Sequence, residues 1–296
     1  MSSIGPAIFT FKNPEISKNI KKDIREATVD RRDRLNNIIF CCSNLACDDT
    51  TRRADLRVCS RCKTVRYCSK ECQRADWPKH KPVCLVTSPT IISLTRRMTE
   101  HAMALHRFVH VLYVGAIFAL DLTNDPAAAD KFFVIVPLTM MPADLPLLFQ
   151  TMSANPGYDW TRLELGLSVG EFVAIEKDKI AEKVRRDATR VQLRDNSIAG
   201  LPTVTFVLVP YEGEEEKEPQ INEDTSYFLG ALPIPQEYLD EVKKGMKSRV
   251  SSALLGREEY LITRENVIDV MEGFNNEVRN DKSNHLKLRG YLRPTV

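Results

Sequence analysis

The chain has 296 residues, 43% of them hydrophobic and 28% charged, with a formal net charge of +2. That is enough for one sizeable core and a small satellite unit, with the composition of an ordinary globular protein and no low-complexity tract. The small charge supplies no global field toward nucleic acid or an anionic membrane.

Residues 1–40 read as an N-terminal basic segment. Ile16, Ile20, Ile24 and Ala27 recur at helical spacing and predict an amphipathic helix over 14–37. Its basic residues alternate with Glu15, Asp23, Glu26, Asp30 and Asp33. That mixture favours a solvated helix face over an import signal or an RNA contact.

All 8 cysteines fall between Cys41 and Cys84. Confinement to one segment points to a common ligand. Cys42 and Cys47 form C-x4-C, Cys59 and Cys62 form C-x2-C, Cys68 and Cys72 form C-x3-C, and His80 and Cys84 form H-x3-C. Each pair is a clip of the kind that holds tetrahedral zinc, and four clips close two four-coordinate, structural sites. Cys41 is left over, either as a buried neighbour or as a competing ligand. A disulfide scaffold would need an oxidising compartment. The N-terminus, MSSIGPAIFTFKN, lacks a secretory pattern, so the expectation is a reduced, zinc-loaded, intracellular protein, nuclear or cytoplasmic.

The run Tyr67-Cys68-Ser69, Cys72-Gln73, Asp76-Trp77-Pro78 and His80-Lys81 within this ligand pattern resembles a MYND zinc finger. The resemblance is confined to about residues 42–84. It implies cross-braced clips, with one site from Cys42, Cys47, Cys68 and Cys72 and a second from Cys59, Cys62, His80 and Cys84. It also implies a groove for a short, proline-containing peptide, formed by Gln73 and Trp77 with Ser69 at its edge. The C-x4-C first clip departs from the C-x2-C of many members. A helix over 69–79 would place Gln73 and Trp77 on one side, at i and i+4. Between Cys41 and Cys84 there are ten Lys/Arg and five Asp/Glu. Two Zn2+ on seven thiolates subtract three charges, leaving the holo finger near +2. Phosphate-driven binding needs several uncompensated cations, so a nucleic-acid partner is not expected.

Residues 85–296 contain no cysteine and read as an α+β body. Residues 89–122 predict one long helix from Ile91, Leu94, Met98, Ala102, Leu105, Val109, Leu112 and Ala116. Its most apolar part, Phe108–Leu120, is 13 residues long, too short to span a bilayer. His106 and His110 lie at i, i+4, but no Glu follows His106 as a metalloprotease would require. Strands are predicted at 132–137, 160–167 and 203–210. Ser168 with Glu171 predicts a capping box opening a helix over 169–186. Glu212–Glu218 reads as a solvated acidic loop. A helix is predicted after Pro235, through Tyr238, Leu239, Val242, Met246, Val250 and Ala253. Another is predicted through Val267, Val270, Met271, Phe274 and Val278, with a short strand near 286–288.

The expected architecture is therefore α+β, a small cross-braced two-zinc finger joined to a cysteine-free body. Its expected units are 1–40, 41–84 and 85–296. The leading expectation is an adaptor that binds a partner protein, with transcriptional or chromatin regulation as a candidate setting. The alternative is an intracellular enzyme, for example methyltransferase-like, with a site in residues 130–296 and the finger as recruiter. MYND fingers occur in SET-domain lysine methyltransferases, but the Asn-His-Ser-Cys segment of that class is missing here: Asn284-His285 is followed by Leu-Lys. No G-x-S-x-G, P-loop or G-x-G-x-x-G is present either.

Overall fold

The computed structural model describes residues 31–36, 39–44, 46–47, 50–62, 65–86, 91–154, 163–195, 201–210, 221, 227–252 and 256–291. The cysteine-rich segment folds as two small hairpins and a helix. Strands β1 (Ile39–Cys41) and β2 (Thr50–Arg52) pair antiparallel, as do β3 (Arg57–Val58) and β4 (Arg66–Tyr67). Helix α1 (Lys70–Val86) follows and contains Pro78 and Pro82.

The body is built on one mixed sheet. Its spine is β5 (Phe132–Pro142), which runs parallel to β8 (Thr203–Pro210) with Val134 opposite Phe206. The other edge of β5 is shared. β7 (Val173–Glu176) pairs with its first half and β6 (Glu164–Val169) with its second, both antiparallel. The Gly170 amide donates to the Pro137 carbonyl at 2.9 Å where the two partners meet. β9 (Phe228–Pro233) extends the sheet beyond β8, and β12 (Arg289–Tyr291) beyond β6.

Side chains alternate across the two faces of this sheet. Val134, Val136, Leu138, Val204, Phe206 and Leu208 enter the larger core. Three helices cover that face: α2 (Ile91–Met103), α3 (His106–Leu120) and α8 (Ile268–Asn280). Phe133, Ile135, Val207 and Val209 face the other way, against Ile180 and against Val184 and Ala188 of α6 (Glu182–Asp195). Strands buried on both faces are continuous apolar runs, which is why FFVIVP and TVTFVLVP are readable in the sequence. A short helix, α4 (Ala128–Lys131), leads into β5.

Several elements differ from the sequence expectation. The long helix over 89–122 is two helices that meet at 89°. Leu105 is extended between them (φ −98°, ψ 126°) and buried. The helix expected over 169–186 is instead strand β7, a turn, and α6 beginning at Glu182; pairing with β5 outweighs the local helical pattern. The helix expected to reach Ala253 ends early, as α7 (Gln236–Lys243). Gly245, at φ +90°, then turns the chain into a hairpin of β10 (Lys247–Ser252) and β11 (Gly256–Leu261).

Of the expected N-terminal helix, residues 31–36 are helical and 14–30 lie outside the described residues, as does the acidic run Glu212–Glu218. Two of the described arginines reach the body. Arg31 donates to the His285 carbonyl at 2.6 Å, and Arg34 donates to the carbonyl of Ala104 at 2.8 Å, at the break between α2 and α3. Helix α5 (Leu145–Ala154) buries none of its residues. Leu147 is 57% exposed and Phe149 64%.

Candidate metal centre

Two groups of four ligating side chains form in the finger. Cys42 follows β1, Cys47 closes the next turn, Cys68 follows β4, and Cys72 lies in the first turn of α1. These four make an all-sulfur centre. Cys59 follows β3, Cys62 lies in the adjoining turn, and His80 and Cys84 sit one helical turn apart on α1. These make a mixed centre of three sulfurs and one nitrogen. Within each group the ligand atoms lie within 4.8 Å of one another. The clips are interleaved, so each centre ties a hairpin to α1.

The local sequence explains the placement. The Asn44 side chain accepts from the Ala46 amide at 3.2 Å and its carbonyl from the Cys47 amide at 2.9 Å. This turn compacts the C-x4-C loop. The Ser43 amide donates to the Arg66 carbonyl at 2.8 Å, and the Arg66 amide to Ser43 Oγ at 3.1 Å. Those two bonds tie the first clip to β4. Ser69 is the N-cap of α1: its hydroxyl accepts from the Cys72 amide at 3.2 Å. Tyr67 is fully buried and donates to Asp76 at 2.7 Å.

The donor set fits zinc. Tetrahedral bonds of about 2.3 Å to sulfur and about 2.0 Å to nitrogen place sulfurs about 3.8 Å apart and sulfur and nitrogen about 3.5 Å apart. Cys59 and Cys84 sulfurs are 3.8 Å apart, those of Cys47 and Cys68 3.5 Å, and those of Cys68 and Cys72 3.4 Å. Cys62 Sγ is 3.6 Å from His80 Nε2. A disulfide would need about 2.05 Å. Burial lowers the His80 pKa, with Asp76 opposing, so its imidazole is held neutral and keeps a lone pair for a metal. Burial also pushes the Cys84 thiol up to about 11. Loading therefore displaces protons that the metal-free pocket retains.

The model of the MYND finger family matches residues 40–84. These residues form a MYND finger. No family covers the rest of the chain, and no solved structure matches it significantly. The finger is similar to part of a Caenorhabditis elegans "SET domain-containing protein 14", 56% identical over 34 residues, which is 12% of this chain and 8% of that one. It resembles human "N-lysine methyltransferase SMYD2", 41% identical over 61 residues, 18% of this chain and 13% of the relative. A Drosophila melanogaster "Zinc finger MYND domain-containing protein 10 homolog" is 62% identical over 29 residues, 10% of this chain and 6% of its own length. This chain thus matches only a small fraction of each relative.

With its eight ligating side chains arranged as one all-sulfur and one mixed group, the MYND finger holds two structural zinc ions. Gln73 is half-buried on α1. Trp77 is 37% exposed, and its ring stands edge-on to His80 at 5.8 Å. The hydroxyl of Ser69 is engaged as the helix cap. The side chain of Cys41 is outside the described residues. His106 and His110 face different partners: His106 Nε2 meets Arg34 at 2.9 Å and His110 Nδ1 meets the Tyr238 hydroxyl at 3.1 Å.

Sequence reasoning does not find a cleft of about 780 Å3 between α3, α8 and the β6–β7 junction. Its lining includes Thr139, Ser168, Glu171, Arg264, Glu272, Asn275 and Arg279. The Asn275 side chain accepts from the Val169 amide at 2.8 Å and donates to its carbonyl at 3.0 Å, and Arg279 pairs with Glu272. No sequence motif marks the cleft, because its walls come from four separate segments, 115–119, 137–141, 168–174 and 264–279.

Proposed function

We propose that the chain is a zinc-stabilised adaptor whose MYND finger takes up a short, proline-containing peptide of a partner protein. The observation that carries this reading is Trp77. It is a large aromatic left partly exposed on a helix that both metal centres fix, through Cys72 and through His80 and Cys84. A surface held this rigidly loses little entropy on binding, and tryptophan is a preferred anchor. Gln73, one turn earlier, supplies an amide for the peptide backbone. Thiols held apart rather than bridged support an intracellular, reducing location.

The test is Trp77→Ala, with zinc content and binding to a panel of proline-containing peptides measured on the same preparation. Loss of at least about 2 kcal/mol of binding with both zincs kept supports the anchor. Zinc loss in parallel would make Trp77 a support for His80 and move the partner surface elsewhere.

The body cleft favours a second reading, an enzyme that the finger recruits. Two similar proteins carry methyltransferase or SET names, but their similarity lies in the finger. Among the described residues the cleft lining contains no His, Cys or Lys. Its Asn275, Glu272 and Arg279 engage one another and Val169. Transfer of label from S-adenosylmethionine to a protein substrate would establish the enzymatic reading.

A further inference from the structure

Strands β6 and β7 form one line along β5, bent by a β-bulge. Gly170 stands opposite Pro137 and Val173 opposite Ile135, so Glu171 and Phe172 share the single position of Val136. Bonded and non-bonded pairs alternate along an antiparallel ladder. The Lys177 amide donates to the Lys131 carbonyl at 3.0 Å. The bonded pairs are therefore Lys131 with Lys177, Phe133 with Ile175, and Ile135 with Val173. Val134 and Ala174 are a non-bonded pair, and the Ala174 amide and carbonyl point away from β5. The outer edge of β6 has partners. β12 pairs with Glu164, Leu165 and Gly166, and the Leu288 carbonyl accepts from the Leu167 amide at 2.9 Å. The side-chain amide of Asn275 meets both backbone groups of Val169, at 2.8 and 3.0 Å. At Ala174 the line ends: among the described residues nothing bonds to its amide or its carbonyl.

This open edge borders the cleft of about 780 Å3, inside the range of about 300–1,000 Å3 usual for ligand sites. The cleft runs round the edge onto both faces of the sheet. Ala174 lies on the larger-core side and Val173 on the smaller-core side, and both line it. So do Phe118 and Met271 on the first side and, by alternation along β5 and β6, Thr139 and Ser168 on the second. A strand laid on a sheet edge has this footprint: its amides meet the edge and its side chains go alternately to the two faces. The charged lining is balanced, Glu171 and Glu272 against Arg264 and Arg279, so it offers no net attraction to a strongly acidic or basic partner. We propose that the free edge of β7 takes up a short, extended, uncharged segment of a partner protein as an added strand. Its alternate side chains are apolar toward Phe118 and Met271, and small or hydroxylated toward Thr139 and Ser168. The Glu176 carbonyl is taken by the Lys179 amide at 3.0 Å, and Val169 by Asn275, so pairing is confined to residues 170–175. α8 walls the cleft through Ile268 and Met271. A gap of this volume holds a few residues of a single strand and not the sheet of a second copy. The site is independent of the peptide surface on the finger.

The experiment selects displayed random linear peptides on the full-length, zinc-loaded chain and measures the affinity of the enriched sequences as synthetic peptides. Ala174→Pro removes only the amide that faces the cleft, because the bonds to β5 lie at Val173 and Ile175, and an edge strand accepts proline at such a position. Its melting temperature should stay near that of the wild type. Binding should weaken about tenfold or more, the cost of a peptide hydrogen bond left unmade. Ser168→Trp fills the cleft from the other face with the backbone intact and should weaken the same peptides. Single N-methylation along a bound peptide should abolish binding at alternate residues, since every second amide of an added strand faces the edge. Peptides that lose affinity with Trp77→Ala and keep it with Ala174→Pro belong to the finger, so the two surfaces are read separately. Peptides that bind a folded Ala174→Pro as well as the wild type would overturn the proposal. So would an N-methyl scan without alternation, or a selection that enriches no peptide outside the finger. If Ala174→Pro fails to fold, Ser168→Trp and the N-methyl scan decide the matter.

Discussion

His110 shows how one side chain sets a pH response. It is half-buried on α3 with Nδ1 3.1 Å from the Tyr238 hydroxyl. Burial, and secondarily the Arg107 charge, hold its pKa below the usual value. The unfolded chain takes up this proton near pH ~6.5 while the folded chain resists it, so folding stability falls as pH drops through that range. His110→Gln should flatten the fall: its melting temperature should change less between about pH 7.5 and pH 5.5 than that of the wild type. Equal slopes would show that His110 does not titrate on unfolding. The metal ligands make a second residue-level prediction. Elemental analysis of the reduced protein should give two zinc ions per chain. His80→Ala should lose the zinc of the mixed centre. These ligands are legible because spacing along the chain decides which side chains can converge on one ion. The roles of Asn44 and Ser43, and the capping bond of Ser69, are not, because they depend on how the hairpins fold back.

At the scale of elements, legibility follows burial. β8 and α8 are readable, since the packing that decides them is written in runs of Val, Leu and Phe. α6 and β7 mislead because Phe172, Ile175, Ile180 and Val184 imitate one helical face while serving different layers. Phe172 packs into the larger core, and Ile180 and Val184 into the smaller one. The end of α7 is marked by Lys243-Lys244-Gly245, a basic last turn followed by glycine. The break between α2 and α3 has no Gly or Pro to announce it. There the demand that both helices cover one sheet decides. Gly115 on α3 tests this packing. A Cβ there would fall 2.3 Å from the Phe172 ring and 2.9 Å from Met271. Elsewhere in a helix Gly→Ala gains about 1 kcal/mol. Here overpacking should reverse the sign and Gly115→Ala should cost about 1–3 kcal/mol, read from urea denaturation.

For the whole molecule, the described body has a two-faced core of its own and no metal ligand in it, whereas the finger's small cluster is built mostly from its cysteines and Tyr67. We propose that residues 41–84 and 85–296 are separable units. Chelation should then unfold the finger, where binding of structural zinc contributes on the order of 10 kcal/mol, and leave the body's thermal transition in place. A single transition lost on chelation would show that they are one cooperative unit. Helix α5 has a consequence for how many copies of the protein behave together. Leu145 to Ala154 carries no charged side chain, and a net charge of +2 gives neighbouring molecules little mutual repulsion. Among the described residues, the exposed Leu147, Phe149 and Met152 therefore weigh against colloidal stability at high concentration. Phe149→Lys should raise the concentration at which static light scattering departs from that of a single particle, while leaving the melting temperature unchanged, because the ring contributes almost nothing to the fold that displays it.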